Sequence, residues 1–125
     1  MLDRVRAGRA QRVVRPGQVF SRIHVADAAR VLAASLAQPR AGRAYNVADD
    51  LPSPPAEVVE YACALLGAPL PPAVPFEQAD LGPLAASFWA ESKRVSNRRI
   101  KQELGVTLAY PDYRAGLAAV LAAGG

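Results

Sequence analysis

The chain has 125 residues, 51% of them hydrophobic, and a formal net charge of +4 at pH 7. This composition predicts one folded domain and excludes a disordered chain. No apolar run approaches the ~20 residues that cross a membrane, and the N-terminal stretch lacks a signal-peptide core. We therefore expect a cytoplasmic protein with no membrane partner, in which the single cysteine, Cys63, is a buried apolar side chain rather than half of a disulfide.

The excess of basic residues bears on nucleic acids as partners. Apart from short arginine-containing stretches at 4–15 and 94–101, the cations are spread along the sequence, and few aromatic residues lie among them. Stacking platforms for single strands are therefore lacking. We expect weak, salt-sensitive association with polyanions and no specific nucleic-acid partner.

The first elements along the chain are a short helix within residues 2–9, two strands and a longer helix. The strands are predicted at 12–15 and 19–25, on either side of a Pro-Gly turn. The helix, at 26–38, has Asp27 in its first turn, where the helix dipole favours an anion. Its apolar residues recur at the helical period and are expected to face the core: Val25, Ala28, Ala29, Leu32 and Leu36.

A further strand is predicted at 44–50 and a further helix at 54–66. We expect Ser53 to cap the start of this helix through its hydroxyl, and Gly67 to end it in the left-handed conformation. A helix between two strands is the order of a βαβ crossover, which predicts a parallel sheet.

The last third opens with a proline-rich connection at 68–84, which we expect to be irregular. A helix ending at Gly105 follows, and its start is capped by either Ser92 or Ser96. A final helix is predicted to begin near Asp112.

Three segments, in this order, carry a resemblance to a known family. They are RIHVADAARVLAASL at 22–36, AYNVADD at 44–50, and KQELGV at 101–106 followed by Tyr110-Pro111. Together they resemble the C-terminal half of the extended or atypical short-chain dehydrogenases/reductases, the NAD(P)-dependent epimerases and dehydratases. The resemblance implies an α/β fold, the C-terminal substrate-binding lobe of a Rossmann-type enzyme, with residues 1–125 forming a single partial domain of late sheet strands and a helical substrate lobe.

Two features that the family's chemistry needs are missing from this chain. None of the nine glycines lies in a Gly-rich turn that would cradle a pyrophosphate, and no tyrosine is followed four residues later by a lysine. The complete enzyme implied by the resemblance uses NAD or NADP, but we expect this chain alone to bind no cofactor and to contain no catalytic residue. A truncation, a misplaced start and a natural split protein all remain open. Each implies a missing N-terminal lobe or a partner subunit, and self-association without it.

The candidate substrate-binding residues are Phe20, Arg22, His24 and Trp89. The first three share one face of the predicted strand at 19–25, and Trp89 could line a pocket beside the proline-rich connection. In the resembling enzymes an arginine at the position of Phe20 contacts a substrate diphosphate. Arg22 could replace it for an anionic small-molecule substrate. The alternatives are that Arg22 is a solvated strand residue and that His24 only hydrogen-bonds the helix start.

Two functions therefore follow from the sequence. The first is the substrate-binding C-terminal portion of an epimerase/dehydratase-type oxidoreductase. The alternative is a non-enzymatic binding or assembly module, acting through a partner subunit or weakly with polyanions. A metal site is not expected, because one histidine and scattered carboxylates do not form a cluster.

Overall fold

Six α-helices and two short β-strands make up the regular structure of residues 1–124, the part of the chain that the computed structural model describes. None of these helices is long and apolar enough to cross a membrane. In chain order the elements are α1 (Leu2–Arg6), β1 (Arg12–Val14), α2 (Val25–Ala37), α3 (Pro55–Leu66), β2 (Ala73–Pro75), a 3-10 turn (Phe76–Gln78), α4 (Pro83–Phe88), α5 (Arg98–Gln102) and α6 (Tyr113–Ala122).

The sheet is parallel, as predicted, but its second strand lies elsewhere than expected. β1 pairs with β2, with Val13 opposite Val74. The strand predicted at 12–15 is therefore present, while β2 and the 3-10 turn lie inside the proline-rich connection that was expected to be irregular.

The strands predicted at 19–25 and 44–50 are absent from the described residues, which corrects the predicted crossover. Residues 19–24 run toward α2 without a ladder of regular partners. They are held instead by single bonds, such as the Lys93 N–H to the Val19 carbonyl and the Asp49 N–H to the Arg22 carbonyl. An isolated antiparallel bridge joins Phe20 to Ser53. A β-strand requires a continuous neighbour, and these segments have only scattered contacts.

Helix α2 forms within one residue of its predicted bounds, but the expected buried face was wrong. Val25, Leu32 and Leu36 are 77%, 64% and 80% exposed, whereas Val31 is buried. Val31 packs against Ile100 in a core cluster that also contains Leu104 and Val106. The helix therefore turns its densest apolar stripe away from the rest of the described chain.

Helix α3 forms the second core cluster together with α1. Its buried residues Val59, Ala62 and Cys63 pack against Leu2 and Val5, which confirms Cys63 as a buried apolar side chain.

The ends of α3 were predicted only in part. Gly67 does end the helix in the left-handed conformation, with φ of 62°. The predicted Ser53 cap is wrong, because Pro54 occupies the N-cap position and the Ser53 hydroxyl donates to the carbonyl of Leu51. Two prolines in succession shift the helix start by one residue and leave the serine outside it.

Helix α4 was not predicted, whereas α5 and α6 lie where helices were expected. Helix α6 begins directly after Asp112, whose side chain caps it by accepting a hydrogen bond from the Ala115 N–H. Helix α5 is shorter than expected and begins after Asn97, with the Ser96 hydroxyl accepting from the Arg98 N–H at 3.4 Å. Of the two caps that the sequence left open, Ser96 is therefore the one beside the helix start.

Candidate functional site

Arg22 and His24 line one cavity of about 350 Å³, between the start of α2 and the facing sides of α3 and α6. Two carboxylates and a tyrosine line it as well: Asp49, Asp112 and Tyr113. Its apolar wall includes Val58, Leu117 and Val120. A concave, mostly apolar site with a few polar groups is the usual form of a small-molecule site.

His24 is fixed in this cavity by its role as the N-cap of α2. Its Nδ1 atom accepts a hydrogen bond from the Ala26 N–H at 3.0 Å, so the neutral ring carries its proton on Nε2. The ring lies against Tyr110, with 4.2 Å between centroids, and near Gly116 of α6. His24 therefore hydrogen-bonds the start of α2, which was the alternative to a role in substrate binding, and it also lines the cavity.

The wall that holds His24 depends on a fully buried carboxylate. Asp27, in the first turn of α2, accepts hydrogen bonds from the N–H groups of Ala109 and Tyr110 at 3.0 and 2.9 Å, and from Arg30 at 2.6 Å. Burial by itself would raise the pKa of Asp27, but these three donors outweigh it and the pKa is lowered. The sequence placed Asp27 correctly in the first turn, and the structure adds that it ties this turn to the segment carrying Tyr110.

Arg22 has no carboxylate partner within residues 1–124, although it is partly buried. Its Nη1 atom donates to the carbonyls of Phe20 and Ser53 at 3.4 and 3.3 Å. Loss of solvent lowers the pKa of Arg22, and the nearby Asp49 and Tyr113 oppose that shift. A guanidinium in this setting has donors left to bind an anion.

Asp49 was not predicted as a site residue. It is only 4% exposed and accepts one hydrogen bond, from the Leu51 N–H at 3.0 Å. Burial raises the pKa of Asp49 to about 6, against the opposing effects of that hydrogen bond and of Arg22. Its carboxyl group therefore changes protonation state near neutral pH.

The neighbouring carboxylate, Asp50, lies in different surroundings. It accepts hydrogen bonds from Lys101 at 2.5 Å and from Asn97 at 2.7 Å, which lower its pKa. The two adjacent carboxylates thus have separate partners and do not form a paired acid and base.

Phe20 and Trp89, the other two predicted site residues, lie in an aromatic cluster. The Trp89 ring contacts Phe20 edge-on at 5.3 Å and stacks on Phe76 at 5.4 Å. Arg15 covers the Phe76 ring and donates to the carbonyl of Trp89 at 2.5 Å. Trp89 lines a second cavity, of about 330 Å³, with residues of α1 and α3. The structure therefore brings Arg22 and His24 together but places Trp89 in a different pocket.

No group of three or more His, Cys, Asp or Glu side chains within residues 1–124 is arranged to hold a metal ion. The main cavity combines an arginine, a histidine, a tyrosine and two carboxylates with an apolar wall.

Comparisons with known proteins bear on what this cavity belongs to. Neither the family models nor the curated proteins give a match. Among solved structures, the crystal structure of the human epimerase family protein SDR39U1 (isoform 2) with NADPH matches 96% of this chain at 25% identity, with a TM-score of 0.78. The chain is similar to part of an epimerase family protein. A conserved protein of unknown function from Silicibacter pomeroyi DSS matches 92% of the chain at 60% identity, with a TM-score of 0.89.

Both relatives are much longer than the part that matches. The chain spans 42% of the Silicibacter protein and 41% of the human one. This agrees with the expected likeness to a portion of an epimerase-type fold, built here as a small α/β unit.

Proposed function

We propose that this chain is the substrate-binding C-terminal portion of an NAD(P)-dependent oxidoreductase of the epimerase/dehydratase type, and that it is inactive alone. The observation that carries the proposal is the match to 41% of the human epimerase family protein, whose structure contains NADPH. The cavity with Arg22 and His24 then supplies the substrate contacts, with Arg22 as the anion contact.

In this proposal NAD or NADP binds to a second lobe. A pyrophosphate needs closely approaching backbone amides, usually from a Gly-rich turn that opens a helix. The sequence contains no such turn, and α3, whose N-cap and first residue are both prolines, offers few free N–H groups. The catalytic tyrosine and lysine would likewise come from the partner lobe or partner subunit.

The exposed apolar face of α2 supports a docked partner. We call this face, made of Val25, Ala29, Leu32 and Leu36, the α2 stripe; all four residues are exposed. Contiguous apolar surface of this kind marks an interaction site in a folded protein. The occupant we propose is the lobe that corresponds to the remainder of the Silicibacter protein, because this chain accounts for 42% of that protein.

The α2 stripe yields the experiment that tests this proposal. We expect the purified chain to self-associate at high concentration, and the double variant Leu32→Glu, Leu36→Glu to be a monomer, because two charges on the stripe oppose burial. Sedimentation velocity measures both. The matched control is Ala33→Glu with Ala37→Glu, which has the same spacing on an adjacent exposed face of α2 and should associate like the parent chain.

The same variants apply to a chimaera in which this chain replaces its matching segment of the Silicibacter protein. Glutamates at 32 and 36 should lower the thermal stability of the chimaera, while those at 33 and 37 should not. Equal stability of all three forms, together with a parent chain that stays monomeric and unfolds cooperatively, would support an autonomous module instead.

A further inference from the structure

The cavity that holds Arg22 and His24 carries enough chemistry to define a class of ligand. Arg22 and His24 supply hydrogen-bond donors to it. The Arg22 Nε and Nη2 atoms form no hydrogen bonds with residues 1–124, and His24 keeps the proton on Nε2 because its Nδ1 accepts from Ala26. A planar guanidinium with a neighbouring imidazole N–H matches the two oxygens of a carboxylate.

The carboxylates that line the same cavity limit the charge of the ligand. The charges of Asp49 and Arg22 influence each other's pKa, and the Oδ1 atom of Asp112 is engaged by the Ala115 N–H. One guanidinium therefore faces two carboxyl groups. A dianion such as a phosphate monoester would add two negative charges to this balance, whereas a carboxylate adds one.

The rest of the wall is apolar and limits the size of the ligand. Val58 is buried in the first turn of α3, and Leu117 and Val120 of α6 line the cavity with their apolar side chains. A volume of about 350 Å³ lies at the small end of ligand sites. The body of the ligand is thus a short hydrocarbon or similarly apolar group.

We propose that this cavity binds a small monocarboxylate with an apolar body, the carboxylate lying on Arg22 and His24 and the body against Leu117 and Val120. The inference rests on the proposed function, since it names the substrate class of the portion assigned to substrate binding. It departs from the diphosphate that the resembling enzymes take, in keeping with Phe20 at the position of their arginine.

Titration of the full chain, followed by NMR chemical shifts, tests the inference with three probes of similar length: hexanoate, hexyl phosphate and hexan-1-ol. The background is the Leu32→Glu, Leu36→Glu variant, whose changes lie outside the cavity. We expect saturable shifts with hexanoate at residues of the cavity and at least about tenfold weaker binding of hexan-1-ol, because the alcohol lacks the charge-assisted bond. Hexyl phosphate should bind more weakly than hexanoate at pH 7.5.

Two variants locate the site. Arg22→Gln should weaken hexanoate binding by about tenfold or more. Because Arg22 also bonds two carbonyls, Gly116→Leu provides a second test. A Cβ at Gly116 would lie 3.5 Å from the His24 ring, so the leucine crowds His24 and occupies the cavity beside it without altering Arg22, and it should abolish the shifts. Asp49→Asn should reduce the difference in affinity between hexyl phosphate and hexanoate, because it removes one negative charge from the cavity.

The inference would be overturned if hexanoate gave no saturable shifts, if hexyl phosphate bound as tightly as hexanoate, or if Gly116→Leu left binding unchanged. If one of these results were obtained and the chimaera still bound NADPH, the carboxylate proposal would fail and the proposed function would stand. Loss of NADPH binding by the chimaera with hexanoate still bound would remove the proposed function and leave the cavity as a carboxylate site.

Discussion

Replacing Asp27 by Asn is expected to destabilise the chain by about 2–4 kcal/mol, the largest loss among single changes outside the apolar core. The carboxylate is fully buried and accepts from two backbone N–H groups, those of Ala109 and Tyr110. An asparagine can accept with one oxygen only, so its NH₂ group would face the second N–H donor in a buried setting. Denaturant unfolding at neutral pH, followed by circular dichroism, measures the difference.

The chain offers a matched control for this change. Asp3 and Arg6 form the same i,i+3 pair on α1 that Asp27 and Arg30 form on α2, but the Asp3 side chain is 92% exposed. Asp3→Asn should change the free energy of unfolding by less than about 0.5 kcal/mol. Similar small effects for both variants would show that Asp27 acts only through Arg30 and the helix dipole, contrary to the tie to residues 109–110.

Asp49→Asn is expected to stabilise the chain at pH 7.5, by about 1–2 kcal/mol. Burial raises the folded-state pKa of Asp49 from 3.8 to about 6, so folding favours the protonated carboxyl. A raised pKa contributes stability that is present below the unfolded value and is lost as pH rises through about 6. The full shift corresponds to about 3 kcal/mol, which solvent in the open cavity reduces. The asparagine mimics the protonated form and removes the loss.

Unfolding midpoints at about pH 3.5, 5, 6 and 7.5 check this prediction. The variant should nearly match the parent chain at about pH 3.5, exceed it increasingly between the unfolded pKa of 3.8 and the folded pKa of about 6, and keep a nearly constant advantage from there to pH 7.5. Asp50→Asn is the neighbouring control with the opposite sign, because hydrogen bonds from Lys101 and Asn97 lower the pKa of Asp50 and its charged form is the stabilised one. If Asp49→Asn lowered stability at pH 7.5, Asp49 would instead be a stabilising counterion of Arg22.

Local sequence patterns predicted the positions of the longer helices well, but they predicted less well which side chains of those helices are buried. Caps and periodicity located α2, α3 and α6 within one or two residues, because those signals are properties of a few neighbouring residues. Periodicity also identified the α2 stripe, but it could not say what covers it. Burial depends on a partner surface, and within the described residues Leu32 and Leu36 have none.

The candidate site shows the same division between local and distant effects. Alternation along an extended segment placed Arg22 and His24 on one face, and both line the same cavity although no regular strand forms there. Asp49 was missed because it comes from a separate segment and becomes a cavity residue only through the bond of its N–H to the Arg22 carbonyl. Trp89 was predicted to line a pocket because it lies near the proline-rich connection, and the structure places it in the second cavity, stacked on Phe76 and apart from Arg22.

Calorimetric titration with NADPH, of the isolated chain and of the chimaera with the Silicibacter protein, tests most directly whether this chain needs a nucleotide-binding lobe. We predict no saturable binding to the isolated chain, because it offers no amide cradle for the pyrophosphate. On the proposed function the remainder of the Silicibacter protein is the nucleotide-binding lobe, so that protein and the chimaera should each bind one NADPH in the micromolar range, about −8 kcal/mol. A stoichiometric, competable NADPH site on the isolated chain, or a folded chimaera that binds none, would contradict the account.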